Sequence, residues 1–331
     1  MKETVSEDYL QRTNRALDYI VQNLSSSLRL DDVARAACFS PFHFYRVFQS
    51  LMGETLNAFV KRQRLERALY LMSHAPNSSL TAIALECGFS SSSDFPRSFK
   101  QRFEVAPSNF NVQDFRDHKR AEFEATLASH EKGPKLPRLP KGENPDGFDV
   151  HFRDLPARTV AYMRVLDPYQ GTGVMTAYER MLAWAEERGL ADNQWLGYMW
   201  EDPEIVVLNE CRYDVALEVD GSFKAEGEIG RFDFPAMRVA EIELSGNIEL
   251  EQRALDWITA PGFPPADASL VTTQPSKRGM AGLLLMAWST LSCVVSSRLS
   301  RLAKRKVHWS IWKSTRRSIH VGHRNFRTNN L

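Results

Sequence analysis

Residues 30–48 read LDDVARAACFSPFHFYRVF, and residues 80–99 repeat this pattern as LTAIALECGFSSSSDFPRSF. Small and apolar residues recur at helical spacing on both sides of a short break, so each copy predicts a helix, a tight turn and a second helix. Phe44 and Phe48 lie four positions apart and are expected on the buried face of the second helix, as are their counterparts in the second copy. The repeat predicts two helix-turn-helix units, at about residues 26–50 and 76–101.

The pattern between the two units predicts one long helix over residues 55–72. Its inward side is expected to carry the apolar residues Leu56, Phe59, Val60, Leu65, Leu69 and Met72. Its outer side is expected to carry the basic residues Lys61, Arg62, Arg64 and Arg67. In the first unit, Ser40 is expected to cap the second helix through its hydroxyl, and Pro41 suits the first helical position.

Residues of about 12–110 resemble the DNA-binding domain of AraC/XylS-type transcriptional regulators. Three stretches carry the resemblance: ETLNAFVKRQRLERA (54–68), IALECGFSSSSDF (83–95) and FKQRFEVAPSNF (99–110). The resemblance implies an all-α domain over residues 8–115, in which one long helix joins two helix-turn-helix units. Each unit is then expected to place its second helix in the major groove of double-stranded DNA, on successive segments of one face.

Helical spacing places Phe42, His43, Tyr45, Arg46 and Gln49 of the first unit toward solvent or a groove, and Arg62 of the long helix where it can reach phosphates. The resemblance further implies that Phe42, Tyr45 and Arg46 in the first unit and Ser92, Ser93 and Arg97 in the second face the groove. Arginine can read guanine through two hydrogen bonds, whereas serine discriminates little. Pro96 departs from the family pattern and lacks a backbone N–H, so the second unit is predicted to be the weaker reader.

The composition indicates two domains in a reducing cytoplasm. The chain has 331 residues, 43% of them hydrophobic, which is enough to bury a second core beside the helical domain. The formal net charge of +1 conceals local basicity, because the second half of the chain is rich in acids as far as Asp267. The cysteines lack metal-ligand spacing, and the charged N-terminus is unlike a signal peptide. Those cysteines are Cys38, Cys87, Cys211 and Cys293.

The pattern changes after the helical domain. Residues 116–147 are predicted to be a linker, because proline and glycine are frequent from residue 131 onward. Residues 148–267 then alternate between strand and helix patterns, which predicts an α+β domain with internal pseudo-two-fold symmetry. Strands are expected at 148–153, 159–165, 195–200, 212–219, 230–234 and 237–244, and helices at 176–188 and 249–257.

This second domain resembles the GyrI-like effector-binding domain. The resemblance rests on LPARTVAYMRVLDPYQGTG (155–173), AYERMLAWAEERGL (177–190), WEDPEI (200–205) and CRYDVALEV (211–219). It implies a cleft that binds flat, often cationic small molecules between aromatic walls, with a carboxylate nearby. The matching residues are Tyr162, Trp195, Tyr198, Trp200 and Tyr213, with Asp202 and Asp214 close by. Aromatic residues on alternating strands are equally typical of a core.

The sequence favours a DNA-binding regulator that senses a small molecule. It shows no catalytic triad order, phosphate loop or metal-binding motif, so no catalytic residue, metal or cofactor is expected. The alternative is a GyrI-like hydrolase or drug-sequestering protein fused to a DNA-binding domain. The expected partners are double-stranded DNA and a small-molecule effector, with RNA polymerase as a further candidate and no membrane.

Residues 268–331 contain no aspartate or glutamate, whereas Arg, Lys and Ser accumulate there. Three explanations compete: a basic tail that binds nucleic acid, a weakly apolar membrane span at residues 279–297, or translation in a shifted frame. The codons permit a shifted peptide from residue 278 onward that resembles the closing strand of GyrI-like domains. We therefore predict a frameshift, which leaves residues 268–331 poorly ordered and the second domain incomplete at its C-terminus.

Overall fold

The computed structural model describes residues 7–75, 77–91, 93–129 and 143–242, together with residues 253, 254 and 257. The first part is helical and the second is α+β, as predicted. The helices of the first part are α1 (Glu7–Gln22), α2 (Leu30–Ala36), α3 (Pro41–Met52), α4 (Leu56–His74), α5 (Leu80–Glu86), α6 (Asp94–Phe103) and α7 (Val112–Ser129).

The two helix-turn-helix units are α2 with α3 and α5 with α6, and their turns have the same geometry. Cys38 (φ +56°) and Gly88 (φ +85°) occupy equivalent left-handed positions. In the first turn the N–H of Phe39 donates to the carbonyl of Ala34 at 2.9 Å. In the second turn the N–H of Phe89 donates to the carbonyl of Ala84 at 3.0 Å. The predicted repeat is therefore confirmed at the level of backbone hydrogen bonds.

Each unit has its own apolar core. In the first, Phe44 and Phe48 pack with residues of α1, including Leu17 and Ile20. In the second, Phe95 and Phe99 pack against α4. Helix α4 begins after Thr55, whose hydroxyl accepts the N–H of Ala58 at 3.2 Å, and its predicted inward residues from Leu56 to Leu69 are buried.

Helix α7 changes the predicted domain boundary. Residues 116–129, expected as the start of a linker, continue this helix instead. Arg116 and Arg120 are both buried and bind Glu204 of the second domain. The sequence 112–129 has no proline or glycine, so it can remain helical. Residues 130–142 lie outside the described residues.

The second domain contains β1 (Val150–Leu155), β2 (Arg158–Leu166), α8 (Gly173–Glu187), β3 (Trp195–Met199), β4 (Arg212–Val219), β5 (Gly230–Phe234) and β6 (Met237–Ile242). Four of these strands form an antiparallel sheet in the order β3-β4-β2-β5, and β1 pairs with β6. Helix α8 covers one face of the sheet. The helix predicted at 249–257 and the tail 268–331 lie outside the described residues, apart from residues 253, 254 and 257.

The other face of the sheet packs against the helical domain. Val21 of α1 lies in one core with Val160, Tyr162 and Trp200. Residues 205, 206 and 211 of the second domain lie in the core of the second helix-turn-helix unit. The two domains therefore share buried apolar contacts.

Candidate nucleic-acid interface and effector site

Helix α3 exposes the residues expected to face DNA. Phe42 is 74% exposed and Tyr45 is 40% exposed, although both are large apolar side chains. Arg46 is exposed and lies over the Phe42 ring, with its guanidinium carbon 6.0 Å from the ring centroid. Gln49 is exposed one turn further along. Exposure of these aromatic side chains to water does not stabilise the folded chain. Such exposure is typical of a binding surface.

His43 lies at the edge of this surface. Its ring stacks on Phe39, with 5.1 Å between ring centroids, and contacts Tyr9 of α1 edge-on at 5.5 Å. Its backbone N–H donates to the hydroxyl of Ser40 at 3.4 Å, which confirms the predicted cap. His43 is thus exposed but held by two aromatic neighbours, one of them in α1.

Helix α6 presents a smaller set of exposed residues. The Arg97 side chain is 77% exposed, 4.0 Å from the carboxylate of Asp94. Ser93 is exposed, and its hydroxyl lies 3.2 Å from that of Ser91. Ser92 lies outside the described residues. Arg97 lies in the first half of α6, and the basic residues Lys100 and Arg102 in its last turn are exposed as well.

Pro96 is the third residue of α6, not an interior residue. The first-turn N–H groups of a helix have no partner within the helix, so proline is tolerated there. In α3, α4 and α5 the residue at this position donates its N–H to the capping hydroxyl. Pro96 cannot do so, and the Ser91 hydroxyl accepts from the N–H of Asp94 at 3.2 Å instead. The prediction that the second unit reads DNA more weakly because of Pro96 therefore loses its main physical basis.

The predicted phosphate contact of Arg62 is contradicted by the structure. Arg62 is only 9% exposed. Its guanidinium lies 2.6 Å from the carboxylate of Glu54, 3.0 Å from that of Glu66 and 3.3 Å from that of Glu210. Of the four basic residues predicted on the outer side of α4, only Lys61 is exposed. Helical spacing alone could not show this, because Glu210 comes from the second domain.

The predicted effector residues lie on two different faces of the sheet. Tyr162, Tyr198 and Trp200 are on the face that packs against α1, and they are 1%, 5% and 5% exposed. Trp195 and Tyr213 are on the opposite face and pack with α8. The expectation that all five aromatic residues line one cleft is therefore wrong, because residues one or three positions apart along a strand point to opposite sides.

The α1-facing side holds a guanidinium between two aromatic rings. The guanidinium carbon of Arg164 lies 4.8 Å from the Tyr162 ring centroid and 5.0 Å from the Trp200 centroid. Asp214 binds it through two hydrogen bonds of 2.8 Å, and Asp18 of α1 binds it through a third of 2.8 Å. We call these five residues the cage.

The hydrogen bonds of the cage link α1 to the sheet. The Tyr162 hydroxyl donates to Asp18 at 2.6 Å, and the Trp200 indole N–H donates to Asp214 at 2.7 Å. Burial raises the pKa of Asp18 above its ordinary value; Arg164 opposes this shift and Asp214 adds to it. The cage has two carboxylates and one guanidinium, so it carries an excess negative charge in a buried place.

Asp202 lies outside the cage, in a second group of ion pairs. Its carboxylate is 3.1 Å from Arg116 of α7. Glu204 binds the same arginine at 2.6 Å and Arg120 at 3.1 Å. Asp202 thus pairs with an arginine of the helical domain instead of with the cage.

A third group connects α4 with β4. Arg212 binds Glu201 through its side chain and through its backbone N–H, the latter at 2.7 Å. The same guanidinium donates to Gln63 of α4 at 3.3 Å, and Gln63 donates to Glu66 at 2.8 Å. Burial raises the pKa of Glu66 to about 7, although Arg62 opposes this shift.

Sequence reasoning missed the charged members of the cage other than Asp214. Arg164 sits within an otherwise apolar strand, two positions from Tyr162, and this spacing places both on one face. That signal was present in the sequence. Asp18 carried no such signal, because its partners are 144 and 146 residues away in the chain.

Comparisons with known proteins agree with this architecture. A helix-turn-helix domain family matches residues 33–113, and the GyrI-like small molecule binding domain matches residues 148–264. The regulatory protein PocR of Salmonella typhimurium is 38% identical over 102 residues, 31% of this chain and 33% of PocR. The probable transcription factor PqrA of Proteus vulgaris is 31% identical over 110 residues, 33% of this chain and 85% of PqrA.

A solved structure of an AraC-type transcriptional regulator from Chromobacterium violaceum aligns with 29% of this chain and 86% of its own, at 27% identity and a TM-score of 0.28. The chain belongs to the AraC family of regulators and carries a GyrI-like small-molecule-binding domain. It spans a third of the length of PocR and most of the length of PqrA.

The part of the chain that the structure describes contains no helix that is both long and apolar enough to span a bilayer. In the same residues, no group of three or more His, Cys, Asp or Glu side chains is placed to hold a metal ion.

Proposed function

We propose that the chain is a transcriptional regulator that binds double-stranded DNA through α3 and α6. The observation that carries the proposal is the repeated placement of an exposed arginine on the second helix of each unit, Arg46 and Arg97, while the phenylalanines on both sides of it are buried. An arginine in this position can reach the acceptors of guanine in the major groove. RNA polymerase is a proposed partner because the relatives are transcription factors.

Selection of duplexes from a random pool with the full chain tests this proposal. Arg46→Ala is expected to weaken binding to the selected site by about 1–3 kcal/mol and to relax one base position. Arg97→Ala is expected to act in the same way at a different position. Arg180→Ala is the control, because this arginine of α8 is 52% exposed but belongs to the second domain. If both helix variants keep full affinity and selectivity, the assignment of the reading helices is wrong.

We further propose that the effector is a flat aromatic or cationic small molecule that binds the α1-facing side of the sheet. Tyr162, Tyr198 and Trp200 supply ring faces there, and Asp214 supplies a charge. An aromatic ring attracts a cation through its quadrupole, and the attraction grows when water is excluded. Asp202, Trp195 and Tyr213 are no longer part of this proposed site, since they lie elsewhere.

A matched pair of ligands and a matched pair of variants test the effector site. The cation 1-methylquinolinium and its neutral analogue quinoline are titrated against the full chain by calorimetry. Trp200→Phe is expected to weaken cation binding about 3- to 30-fold, because phenylalanine is the poorer partner for a cation. Trp195→Phe, on the opposite face, is expected to leave it unchanged. Equal losses in both variants would contradict the proposed face.

We propose that the sensor releases its ligand unchanged. Both Asp18 and Asp214 are paired with the guanidinium of Arg164, and a cationic ligand in its place would keep them paired, so neither is positioned as a free general base. Prolonged incubation with ester analogues of the ligand, followed by mass spectrometry, separates this proposal from the hydrolase alternative. Turnover that disappears in Asp214→Asn would establish the hydrolase.

A further inference from the structure

Helix α1 belongs to two cores at once. Leu17 and Ile20 of α1 pack in the core of the first helix-turn-helix unit, with Phe44 of α3. On an adjacent side of the same helix, Val21 packs on the sheet. A displacement of α1 from the sheet therefore disturbs the support of α3.

The cage lies at this junction and already holds a flat cation. The guanidinium of Arg164 is planar and charged, and it lies within 5.0 Å of two aromatic ring centroids and is bound by two carboxylates. These are the interactions that a flat cationic ligand requires. The Nη1 group of Arg164 is buried without a hydrogen-bond partner among the described residues, so this occupant is not fully satisfied.

We propose that Arg164 is the tethered occupant of a flat-cation site shared by the two domains, and that a flat cationic effector that displaces Arg164 is bound by Asp18 of α1 as well as by the sheet. This inference rests on the proposed function, because it explains how that sensor acts on that DNA-binding domain. Asp18 is the DNA-binding domain's part of the site. The effector then links the two domains at the cage in place of Arg164.

The first test empties the cage. Arg164→Ala leaves two buried carboxylates without their cation, and the melting temperature is expected to fall by about 6 °C or more. Methylguanidinium at about 20 mM is expected to restore several degrees in a saturable manner, since a ligand that binds only the folded state stabilises it and this concentration is too low to denature. Methylurea has the same shape without the charge and is expected to restore nothing.

Two controls separate a cation site from a general effect of salt. The unmodified chain is expected not to respond to methylguanidinium, because its cage is full. Arg188→Ala removes an arginine that also stacks on an aromatic ring, 4.9 Å from the centroid of Trp184, but lies at the surface with 38% of its side chain exposed. Methylguanidinium is expected to leave the melting temperature of Arg188→Ala unchanged. Equal responses to methylguanidinium in the three proteins, or equal responses of Arg164→Ala to both additives, would overturn the proposal.

The second test asks whether Asp18 is part of the site. Adding Asp18→Asn to Arg164→Ala is expected to raise the dissociation constant for methylguanidinium about 10-fold or more, because one of two charged partners is lost. Asp8→Asn in the same background is the control, since Asp8 lies on the same helix with its side chain 51% exposed. An unchanged constant in the Asp18 variant would show that the site does not span the two domains.

Where Arg164→Ala does not fold by itself, the folded yield after refolding in methylguanidinium is compared with the yield in methylurea, and equal yields overturn the proposal. Slower hydrogen exchange of the α1 amides on addition of methylguanidinium to Arg164→Ala places the bound cation at α1. None of these measurements uses DNA. Their failure leaves the DNA-binding proposal intact, and failure of the Arg46 and Arg97 experiment leaves the cage intact.

Discussion

Replacing Glu66 by glutamine is expected to stabilise the protein at pH 8 and to have little effect at pH 5. Glu66 is largely buried, and Glu54, Glu210 and Glu201 also lie near the same two arginines, Arg62 and Arg212. Four carboxylates thus face two guanidinium groups. Because burial raises its pKa to about 7, the folded state favours protonated Glu66.

The sign follows from proton binding. The unfolded chain releases the Glu66 proton near pH 4.5 and the folded chain near pH 7, so the folded state binds the extra proton between these values. The contribution of protonated Glu66 to folding stability is present at low pH and is lost as the pH rises toward 7. A pKa difference of two to three units between the folded and unfolded states corresponds to about 3 kcal/mol in the free energy of unfolding. Because the Glu66 side chain is 13% exposed, solvation reduces the gain expected from its replacement to about 2 kcal/mol.

Urea unfolding followed by tryptophan fluorescence at pH 5 and pH 8 measures this difference. Glu66→Gln is expected to gain about 2 kcal/mol relative to the unmodified chain at pH 8, and to differ from it by less than about 0.5 kcal/mol at pH 5. Glu187→Gln is the control, because its carboxylate is 76% exposed, and it is expected to show no pH-dependent difference. A Glu66→Gln variant that is less stable at pH 8 than at pH 5, relative to the unmodified chain, would refute the reasoning.

Three further predictions concern the turns, the cage and the tail. Cys38→Gly is expected to stabilise the chain by up to about 1 kcal/mol in thermal unfolding, because only glycine adopts a φ of +56° without strain. Gly230→Ala is expected to destabilise it by about 1–3 kcal/mol, since the new Cβ would lie 2.3 Å from the Tyr162 ring, whereas Gly221→Ala, with a nearest neighbour at 3.9 Å, should be nearly neutral. Restoring the reading frame before residue 276 is expected to raise the melting temperature, and an unchanged value would contradict the predicted frameshift.

The helix-turn-helix units were predictable because their determinants are local. The spacing of Phe44 and Phe48 and the capping hydroxyl of Ser40 act within one or two turns of a helix. The burial of Arg62 was not predictable, because its partners are Glu66 of α4, Glu54 just before α4, and Glu210 of the second domain. A helical pattern shows which residues share a side, but not which neighbour covers that side.

The effector residues illustrate the same limit in a sheet. Side chains alternate between the two faces of a strand, so Trp195 must face away from Tyr198 and Trp200. The sequence therefore already contradicted a cleft with all three residues on one side. It could not show that Tyr198, Asp214 and Arg164 are aligned across three strands, because this alignment depends on the register of β3, β4 and β2. Nor could it show that α1 would cover them. Contacts between residues more than 140 positions apart leave no periodic signal.

The charges at the domain junction are unevenly matched, and we expect this imbalance to make the junction sensitive to added cations. At Glu204, two arginines of α7 face two carboxylates of the second domain, a balanced arrangement that holds the domains together. In the cage and around Glu66, carboxylates outnumber guanidinium groups two to one. A buried excess of negative charge raises the free energy of the docked state and makes it sensitive to any added cation or proton. An added positive charge at the cage is therefore expected to favour docked α1 over released α1.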